Sequence, residues 1–216
     1  MQGYRSRKVR VFVLDDHDIV RRGLLDLLTK RDIIVVGDSG SAVEAVPRIL
    51  ELRPHVMVLD VQLQDGSGVQ VCRDVRSADP SIRGVLLTSA GDQEALILSV
   101  LAGAAGALLK LTGTPDIVDA VRRVGSGRAL PGQADTERVG ENLVRSRAES
   151  LDPPLSPPEA EILELVLAGR TDQQIADERR QPLATIRDEV ARLIARLTTY
   201  LTRLDVHGSE GHRRDS

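Results

Sequence analysis

Residues 9–16, VRVFVLDD, form an apolar, strand-like run that ends in two adjacent aspartates. Three later apolar runs also end in a charged or hydroxyl side chain: HVMVLD (55–60), GVLLT (84–88) and GALLK (106–110). Each run is followed by a segment with helical spacing, and such strand–helix units predict a parallel sheet whose strand ends share one edge. The side chains expected to converge at this edge are Asp15, Asp16, Asp60, Thr88 and Lys110.

This set of side chains suits a magnesium ion together with a phosphoryl group. Carboxylate oxygens are hard ligands of the kind that Mg²⁺ prefers, a lone aspartate can act as a nucleophile, and an ammonium group neutralises phosphoryl charge. At any one position, an aspartate at a strand end is more simply a turn former or a helix cap. The recurrence at four strand ends favours the phosphoryl site. His17, beside the acid pair, is interpreted as a solvent-facing neighbour rather than a ligand.

Composition excludes several classes of protein. The chain has 216 residues, a net charge of −3 and 41% hydrophobic residues, which is ordinary for a globular protein. Aromatic residues make up 1% of the chain, so base-stacking surfaces for single-stranded nucleic acid are not expected. The single cysteine, Cys72, excludes a disulfide framework, and its apolar helical setting predicts a buried thiol. Since no apolar run has membrane-spanning length and the N-terminus has no signal-like apolar core, we expect a cytoplasmic protein without a membrane partner.

Apolar periodicity predicts an α/β domain over residues 8–128, with a doubly wound parallel sheet. The predicted strands are 9–14, 33–37, 55–59, 84–88 and 106–109. The predicted helices are one containing the apolar stripe from Ile19 to Leu28, followed by 41–52, 68–77, 92–102 and 114–125. No Gly-x-Gly-x-x-Gly follows the first strand, so a dinucleotide site is not expected.

A smaller helical domain is predicted over residues 155–206. Ser156 and Glu159 form a capping-box signature at its start. Before it, a polar segment with weak periodicity predicts a linker with room for one helix. The predicted segments are the linker at 129–154, helices from Ser156 to about Ala168, at 172–178 and at 184–204, and a disordered tail at 207–216.

The chain resembles the bacterial two-component response regulators of the NarL/FixJ type, in which a receiver domain precedes a LuxR-type helix-turn-helix. The receiver resemblance is carried by VFVLDDHDIVRRGL, VMVLDVQLQDGSG, LLTSAG and AGAAGALLK within residues 8–128. The carboxy-terminal resemblance, over about 155–197, is recognisable but eroded. The resemblance implies a flavodoxin-like receiver with five parallel strands and five helices, followed by a small all-α helix-turn-helix domain.

The resemblance implies that Asp60 accepts a phosphoryl group from the phosphohistidine of a sensor histidine kinase, or from a small acyl phosphate. Lys110 and Thr88 are implied to contact the phosphoryl oxygens. The residues implied to bind Mg²⁺ are Asp15, Asp16, Asp60 and, through its backbone carbonyl, Gln62. Such receivers carry out no independent substrate turnover, so the chain is not predicted to be an enzyme.

Two positions depart from the usual receiver pattern. Receivers of this type usually carry proline where Gln64 stands and an aromatic residue where Ala107 stands. That aromatic side chain normally moves with the hydroxyl corresponding to Thr88 when the receiver is phosphorylated. Ala107 cannot do so, and phosphorylation is therefore expected to be weakly coupled to output or coupled by another route.

The last long helix would be the DNA-recognition helix. Its apolar stripe is Ile186, Val190, Leu193 and Leu197. Its candidates for DNA contact are Thr185, Arg187, Arg192 and Arg196. Asp188 and Glu189 oppose phosphate binding on this surface, and Arg179 and Gln181 stand before it where the family has apolar residues. Residues 155–206 contain seven arginines, no lysine and nine acidic residues, whereas a DNA-binding domain is normally basic.

Three functions follow from these patterns. The leading one is a response regulator, phosphorylated on Asp60, that controls transcription by binding double-stranded promoter DNA as a homodimer. The alternative is a receiver with a degenerate helix-turn-helix that acts through protein–protein contacts. A third, a phosphatase-like hydrolase with an aspartate nucleophile, lacks an obvious second acid or base to activate water.

Overall fold

The computed structural model describes residues 8–89, 91–110, 114–128, 130 and 133–208 of the chain. The strands are β1 (Arg10–Leu14), β2 (Ile34–Ser39), β3 (Val56–Asp60), β4 (Gln62–Leu63), β5 (Gly66–Ser67), β6 (Arg83–Thr88) and β7 (Gly106–Leu109). The helices are α1 (Asp18–Lys30), α2 (Ala42–Leu52), α3 (Gly68–Ala78), α4 (Asp92–Ala102), α5 (Thr114–Gly125), α6 (Gln133–Glu149), α7 (Pro157–Leu167), α8 (Asp172–Arg179) and α9 (Leu183–Gly208). Among the helices of the described ranges, none combines the length and the apolar content that a membrane crossing requires.

The main sheet has the strand order β2-β1-β3-β6-β7, and all neighbouring strands are parallel. This flavodoxin-like order confirms the predicted fold class. It reverses direction at β1, so the crevice in which such sheets bind ligands lies beyond the ends of β1 and β3. Every residue of β3 is buried, which explains why its sequence is a continuous apolar run rather than an alternating one.

Helices cover both faces of this sheet. Alternate side chains of a strand point to opposite faces, and the core is accordingly divided into two clusters. Val11 and Val13 of β1 pack with α1 and α5 in one cluster, whereas Phe12 and Leu14 pack in the other, with α2, α3 and α4. Cys72 of α3 is fully buried in the second cluster, as predicted, and burial raises the pKa of its thiol to about 11.

The short connection between β3 and α3 contains structure that the sequence did not predict. β4 and β5 form a two-stranded antiparallel ribbon, in which Gln62 pairs with Ser67 and Leu63 with Gly66. The Ser67 side chain then caps α3 by accepting a hydrogen bond from the backbone N–H of Val69. The ribbon therefore fixes the loop that directly follows Asp60.

A 17-residue helix, α6, occupies most of the segment predicted as a linker. It packs closely along α4, and Gly140 makes this approach possible. A Cβ at residue 140 would lie 2.7 Å from Cγ2 of Val100, which is closer than real Cβ contacts allow. The segment between the two domains is thus a packed layer on α4.

The carboxy-terminal helices α7–α9 continue the hydrophobic core of the first domain. One cluster of buried residues extends from Phe12 in the sheet to Leu197 in α9. The predicted apolar stripe of α9 is confirmed, because all four of its residues are at most 1% exposed: Ile186, Val190, Leu193 and Leu197. The predicted capping box of Ser156 and Glu159 is also present at the start of α7. The helical unit is therefore folded and docked against the α/β domain.

Candidate functional site

The structure brings the polar strand ends of the sheet together in one pocket. Asp15 directly follows β1, and Asp60 is the last residue of β3. Their side chains are 0% and 3% exposed, respectively. The ammonium of Lys110, just beyond β7, lies 2.6 Å from Asp60 Oδ2 and 3.1 Å from Asp15 Oδ2. Thr88 is buried at the end of β6, and its carbonyl accepts a 2.7 Å hydrogen bond from the backbone N–H of Lys110. The convergence that strand order predicted is thus present.

The acidic side of this pocket could hold a cation. Asp15, Asp16, His17 and Asp60 each offer one ligand atom, and these atoms lie within 4.8 Å of one another. Asp16 Oδ1 is buried and accepts no hydrogen bond, and the buried Asp15 Oδ2 lies 3.1 Å from the Lys110 ammonium. Leaving a buried acceptor without a donor costs about 1–3 kcal/mol, so Asp16 Oδ1 fits the coordination sphere of a metal ion.

The two central charges of the pocket shift each other's pKa. Burial raises the pKa of the Asp60 carboxyl, and the hydrogen bond and positive charge of Lys110 oppose this rise. Burial alone would lower the pKa of the Lys110 ammonium, but hydrogen bonds and charges from Asp60 and Asp15 together raise it. Lys110 is therefore held in its charged form beside the carboxylate that it neutralises.

The backbone after Asp60 is held by the two glutamines of the ribbon loop. The backbone N–H of Gln62 donates to Asp60 Oδ1 at 3.3 Å. The backbone N–H of Gln64, where receivers usually have proline, donates to Asp16 Oδ2 at 3.0 Å. A glutamine at position 64 thus adds a hydrogen bond to the acid cluster that a proline could not make. The metal-binding role of the Gln62 carbonyl stays a prediction.

Gly68 is a residue of this site whose role the sequence did not reveal. The glycines of DGSG suggest only a turn. In the structure Gly68 is the first residue of α3, and its φ is not in the left-handed region. A Cβ at this position would lie 2.1 Å from the carbonyl oxygen of Asp60. Glycine is needed here because the start of α3 touches the backbone at the end of β3.

Ala107 borders an open space rather than an aromatic side chain. It is half-buried in β7, opposite Leu86 of β6. A cavity of about 880 Å³ lies beside it, lined by parts of α4, α5, α6 and the end of α7. None of the described residues that line the cavity is aromatic, so no side chain there takes the place of the usual aromatic residue.

The four candidates for DNA contact have different surroundings. Thr185 and Arg192 are exposed. Arg187 Nε lies 3.0 Å from Asp74 Oδ1 on α3. Arg196 donates to Glu159 Oε1 at 2.5 Å and to the carbonyl of Pro153 at 2.6 Å. Two of the four guanidinium or hydroxyl groups are therefore occupied by contacts within the chain.

Arg179 at the end of α8 and Gln181 in the turn before α9 both have hydrogen-bond partners. Arg179 Nε donates to the side chain of Gln181 at 3.0 Å, and its NH1 donates to Glu161. The backbone N–H of Gln181 donates to the carbonyl of Ala176. These residues stabilise the turn through polar contacts where the family uses apolar ones.

A buried ion pair between the two domains was missed by the sequence analysis. Arg73 of α3 and Asp172 of α8 are 3% and 0% exposed, and their side chains meet at 2.5 Å. Arg73 also donates to the carbonyls of Leu101 and Arg170, at 2.7 and 3.2 Å. The backbone N–H of Asp172 donates to Ser77 Oγ at 3.1 Å. We refer to the Arg73–Asp172 pair with these hydrogen bonds as the interdomain latch.

Comparisons with known proteins agree with this geometry. The family of response regulator receiver domains matches residues 11–122. The chain is 41% identical over 192 residues to the DNA-binding transcriptional activator DevR/DosR of Mycobacterium tuberculosis, covering 88% of each protein. It is 31% identical over 190 residues to the response regulator protein VraR of Staphylococcus aureus, covering 88% of the chain and 90% of VraR.

A solved receiver domain shows the same fold. The signal receiver domain of the response regulator NarL from Mycobacterium tuberculosis superimposes with a TM-score of 0.53 and 33% sequence identity. The match covers 56% of this chain and 99% of that domain.

Proposed function

The chain belongs to the response regulator receiver family, in its NarL/LuxR-type branch, and on this premise we propose that it is a transcription regulator switched by phosphorylation of Asp60. The observation that carries the proposal is the contact of Lys110 with Asp60 and Asp15 beside a buried Asp16 oxygen that lacks a hydrogen-bond donor. The phosphoryl donor is a sensor histidine kinase, and the regulator acts in the cytoplasm. Independent substrate turnover is not expected.

In the proposed reaction an Asp60 oxygen attacks the phosphorus of a phosphohistidine. The new oxygen–phosphorus bond forms as the phosphorus–nitrogen bond breaks, and the electron pair stays on the kinase imidazole. Lys110 neutralises negative charge next to the attacking carboxylate, and Thr88 donates a hydrogen bond to a phosphoryl oxygen. The groups that would hold Mg²⁺ are the carboxylates of Asp15, Asp16 and Asp60 and the carbonyl of Gln62. When bound, the ion would neutralise carboxylate and phosphoryl charge.

Output requires that the helix-turn-helix leave the first domain. Arg187 is engaged by Asp74, and the latch holds the start of α8 on α3. The phosphoryl group adds about 1.5 to 2 negative charges to the pocket at neutral pH. We propose that this charge releases α8 and α9 from α3, so that two chains bind the two halves of a symmetric DNA site. The contacting residues would be Thr185, Arg187, Arg192 and Arg196. Arg196 would first have to leave its ion pair with Glu159 before it could bind a DNA phosphate.

A DNA titration with and without phosphorylation tests this function. The full chain is incubated with acetyl phosphate and Mg²⁺, and intact mass is used to follow a phosphoryl adduct. We expect an adduct that Asp60→Asn lacks, and tighter binding to promoter DNA at low salt when the adduct is present. Arg192→Ala should weaken binding in the phosphorylated form. A chain that carries no adduct, or whose adduct persists in Asp60→Asn, would contradict the assignment.

A second candidate function is supported by the charge of the carboxy-terminal unit. Residues 155–206 have two more acidic than basic residues, and electrostatic attraction provides most non-specific DNA affinity. In this alternative the phosphorylated chain acts through contact with another protein. It predicts normal phosphorylation of Asp60 together with DNA binding that is absent and is not recovered when Asp188 and Glu189 are replaced by Asn and Gln.

A further inference from the structure

His17 lies at the mouth of the acidic pocket, directly after the acid pair. Its Nδ1 is 2.8 Å from Asp16 Oδ1, 3.5 Å from Asp15 Oδ1 and 3.9 Å from Asp60 Oδ2. We propose that His17 Nδ1 is a metal ligand, and that the pocket therefore binds divalent d-block cations such as Mn²⁺ in preference to Mg²⁺. This inference rests on the proposed phosphoryl pocket and adds to it a nitrogen ligand and a metal selectivity.

A simple hydrogen bond does not account for the position of the imidazole. Asp16 Oδ1 is buried and has no hydrogen-bond partner, although His17 Nδ1 is only 2.8 Å away. The nitrogen and the oxygen are therefore close without the alignment that a shared proton needs. A nitrogen and an oxygen at this distance can both bind one cation that lies between their lone pairs.

The dimensions of the cluster fit a single ion. Metal–ligand bonds of about 2.0 to 2.2 Å place opposite ligands of one ion about 4 to 4.4 Å apart. The four residues each offer one ligand atom within 4.8 Å of the others, and Nδ1 of His17 is within 3.9 Å of an oxygen from each of the three carboxylates. The backbone N–H of His17 also donates to Asp15 Oδ1 at 2.8 Å, which fixes the orientation of that carboxylate.

The exposure of the ring leaves room for further ligands. The His17 side chain is 66% exposed, whereas the side chains of Asp15 and Asp16 are 0% and 8% exposed. An ion held between them would have buried carboxylates on one side and solvent on the other. The open side could accept water or a phosphoryl oxygen, as a site for group transfer requires.

The imidazole determines the preferred metal. Mg²⁺ favours oxygen ligands in a near-ideal octahedron and gives up water reluctantly. Imidazole nitrogen suits first-row transition metals, for which affinity at a nitrogen–oxygen site rises from Mn²⁺ towards Cu²⁺. Mn²⁺ binds most weakly in that series. A preference for Mn²⁺ over Mg²⁺ is therefore the most demanding test of the nitrogen ligand.

The test compares metal binding to the full chain and to His17→Asn. Asparagine keeps a polar residue that is favourable at the helix N-cap, the position His17 occupies in α1. Isothermal titration calorimetry is carried out with Mn²⁺ and Mg²⁺ separately. We expect the variant to lose about tenfold or more in Mn²⁺ affinity, with about the same Mg²⁺ affinity because the oxygen ligands remain. His207→Asn, which changes a histidine in the carboxy-terminal segment, serves as the matched control.

A spectroscopic measurement identifies the ligand directly. The electron spin echo of bound Mn²⁺ should be modulated by an imidazole ¹⁴N nucleus, and His17→Asn should remove this signal while His207→Asn retains it. Parallel changes in Mn²⁺ and Mg²⁺ affinity, or an unchanged ¹⁴N signal, would overturn the inference while leaving Asp60 phosphorylation intact. If the unmodified chain binds neither metal, the metal site of the proposed function fails as well.

Discussion

The acidic pocket and the recognition helix differ in how the chain places their charged residues. The pocket collects Asp15, Asp60 and Lys110 from three strand ends into direct contact. The recognition helix presents four candidate residues, but Arg187 and Arg196 are bound to Asp74 and Glu159. Strand order alone brings the pocket together, whereas the state of the recognition helix depends on which surface it is docked against. The proposed phosphorylation therefore uses residues of one domain, whereas the proposed DNA binding depends on breaking contacts between two domains.

The largest effect is expected from breaking the latch. Arg73→Met leaves Asp172 buried without its cation, and breaking a buried pair on one side costs about 3–5 kcal/mol. The double variant Arg73→Met/Asp172→Leu should recover most of this loss, because neither charge then remains buried. The measurement is urea-induced unfolding followed by circular dichroism.

An exposed ion pair between α6 and α7 provides the control for the latch. The side chains of Arg145 and Glu164 form an ion pair and are 42% and 57% exposed. Arg145→Met should change the free energy of unfolding by less than about 1 kcal/mol. Equal effects of Arg73→Met and Arg145→Met would show that burial does not distinguish the two pairs and would contradict the role of the latch.

A smaller effect is expected at the joint between the pocket and α3. Gly68→Ala places a methyl group against the carbonyl of Asp60, and such overpacking costs about 1–3 kcal/mol. We also expect slower phosphorylation by acetyl phosphate, since the backbone of the phosphoacceptor must shift. Gly23→Ala in α1 is the matched control, because a Cβ there meets no atom within 4 Å. That change should stabilise the helix by up to about 1 kcal/mol, and destabilisation by both variants would point to a general glycine effect.

The sequence predicted the pocket well because its determinants are local. Each apolar run identified a strand, and parallel strand–helix units leave no choice about which ends meet. The contact between Asp60 and Lys110, which are 50 residues apart, could therefore be predicted from the sequence alone. The steric role of Gly68 could not be seen from the sequence, because the atom that requires a glycine lies in a neighbouring strand rather than in the turn itself.

The docked arrangement of the helix-turn-helix could not be predicted in the same way. Arg73 and Asp172 are 99 residues apart, and nothing in either local sequence requires them to meet. Arg73 occurs in an amphipathic helix, where an arginine normally indicates a solvated face. The segment 129–154 lacked strong periodicity, since α6 is held to α4 by a close approach at Gly140 rather than by a wide apolar stripe.

A moderate effect is expected when the partner of Arg187 loses its charge. Burial raises the pKa of Asp74, and the charge of Arg187 opposes the rise. Asp74→Asn removes the attraction that holds Arg187 on α3, and the unphosphorylated chain should bind promoter DNA about fivefold more tightly, corresponding to roughly 1 kcal/mol. Asp26→Asn, which makes the same change in net charge on α1, should leave affinity within the error of a fluorescence anisotropy titration. A gain of the same size in both variants would attribute the effect to net charge alone.

The smallest effect concerns pH and decides whether Arg196 is structural. Hydrogen bonds from the Ser156 hydroxyl and backbone N–H, together with Arg196, lower the pKa of Glu159 to about 2. A carboxyl with a lowered pKa in the folded state stabilises it above the unfolded value of about 4.5, and this contribution is lost as pH falls towards 2. The difference in unfolding free energy between the unmodified chain and Glu159→Gln should therefore be constant above about pH 5 and shrink below it. Arg196→Gln should raise the titration midpoint of Glu159 measured by carboxyl carbon NMR. A midpoint near 4.5 in both chains would show that Arg196 does not form the ion pair with Glu159 and is available for DNA contact.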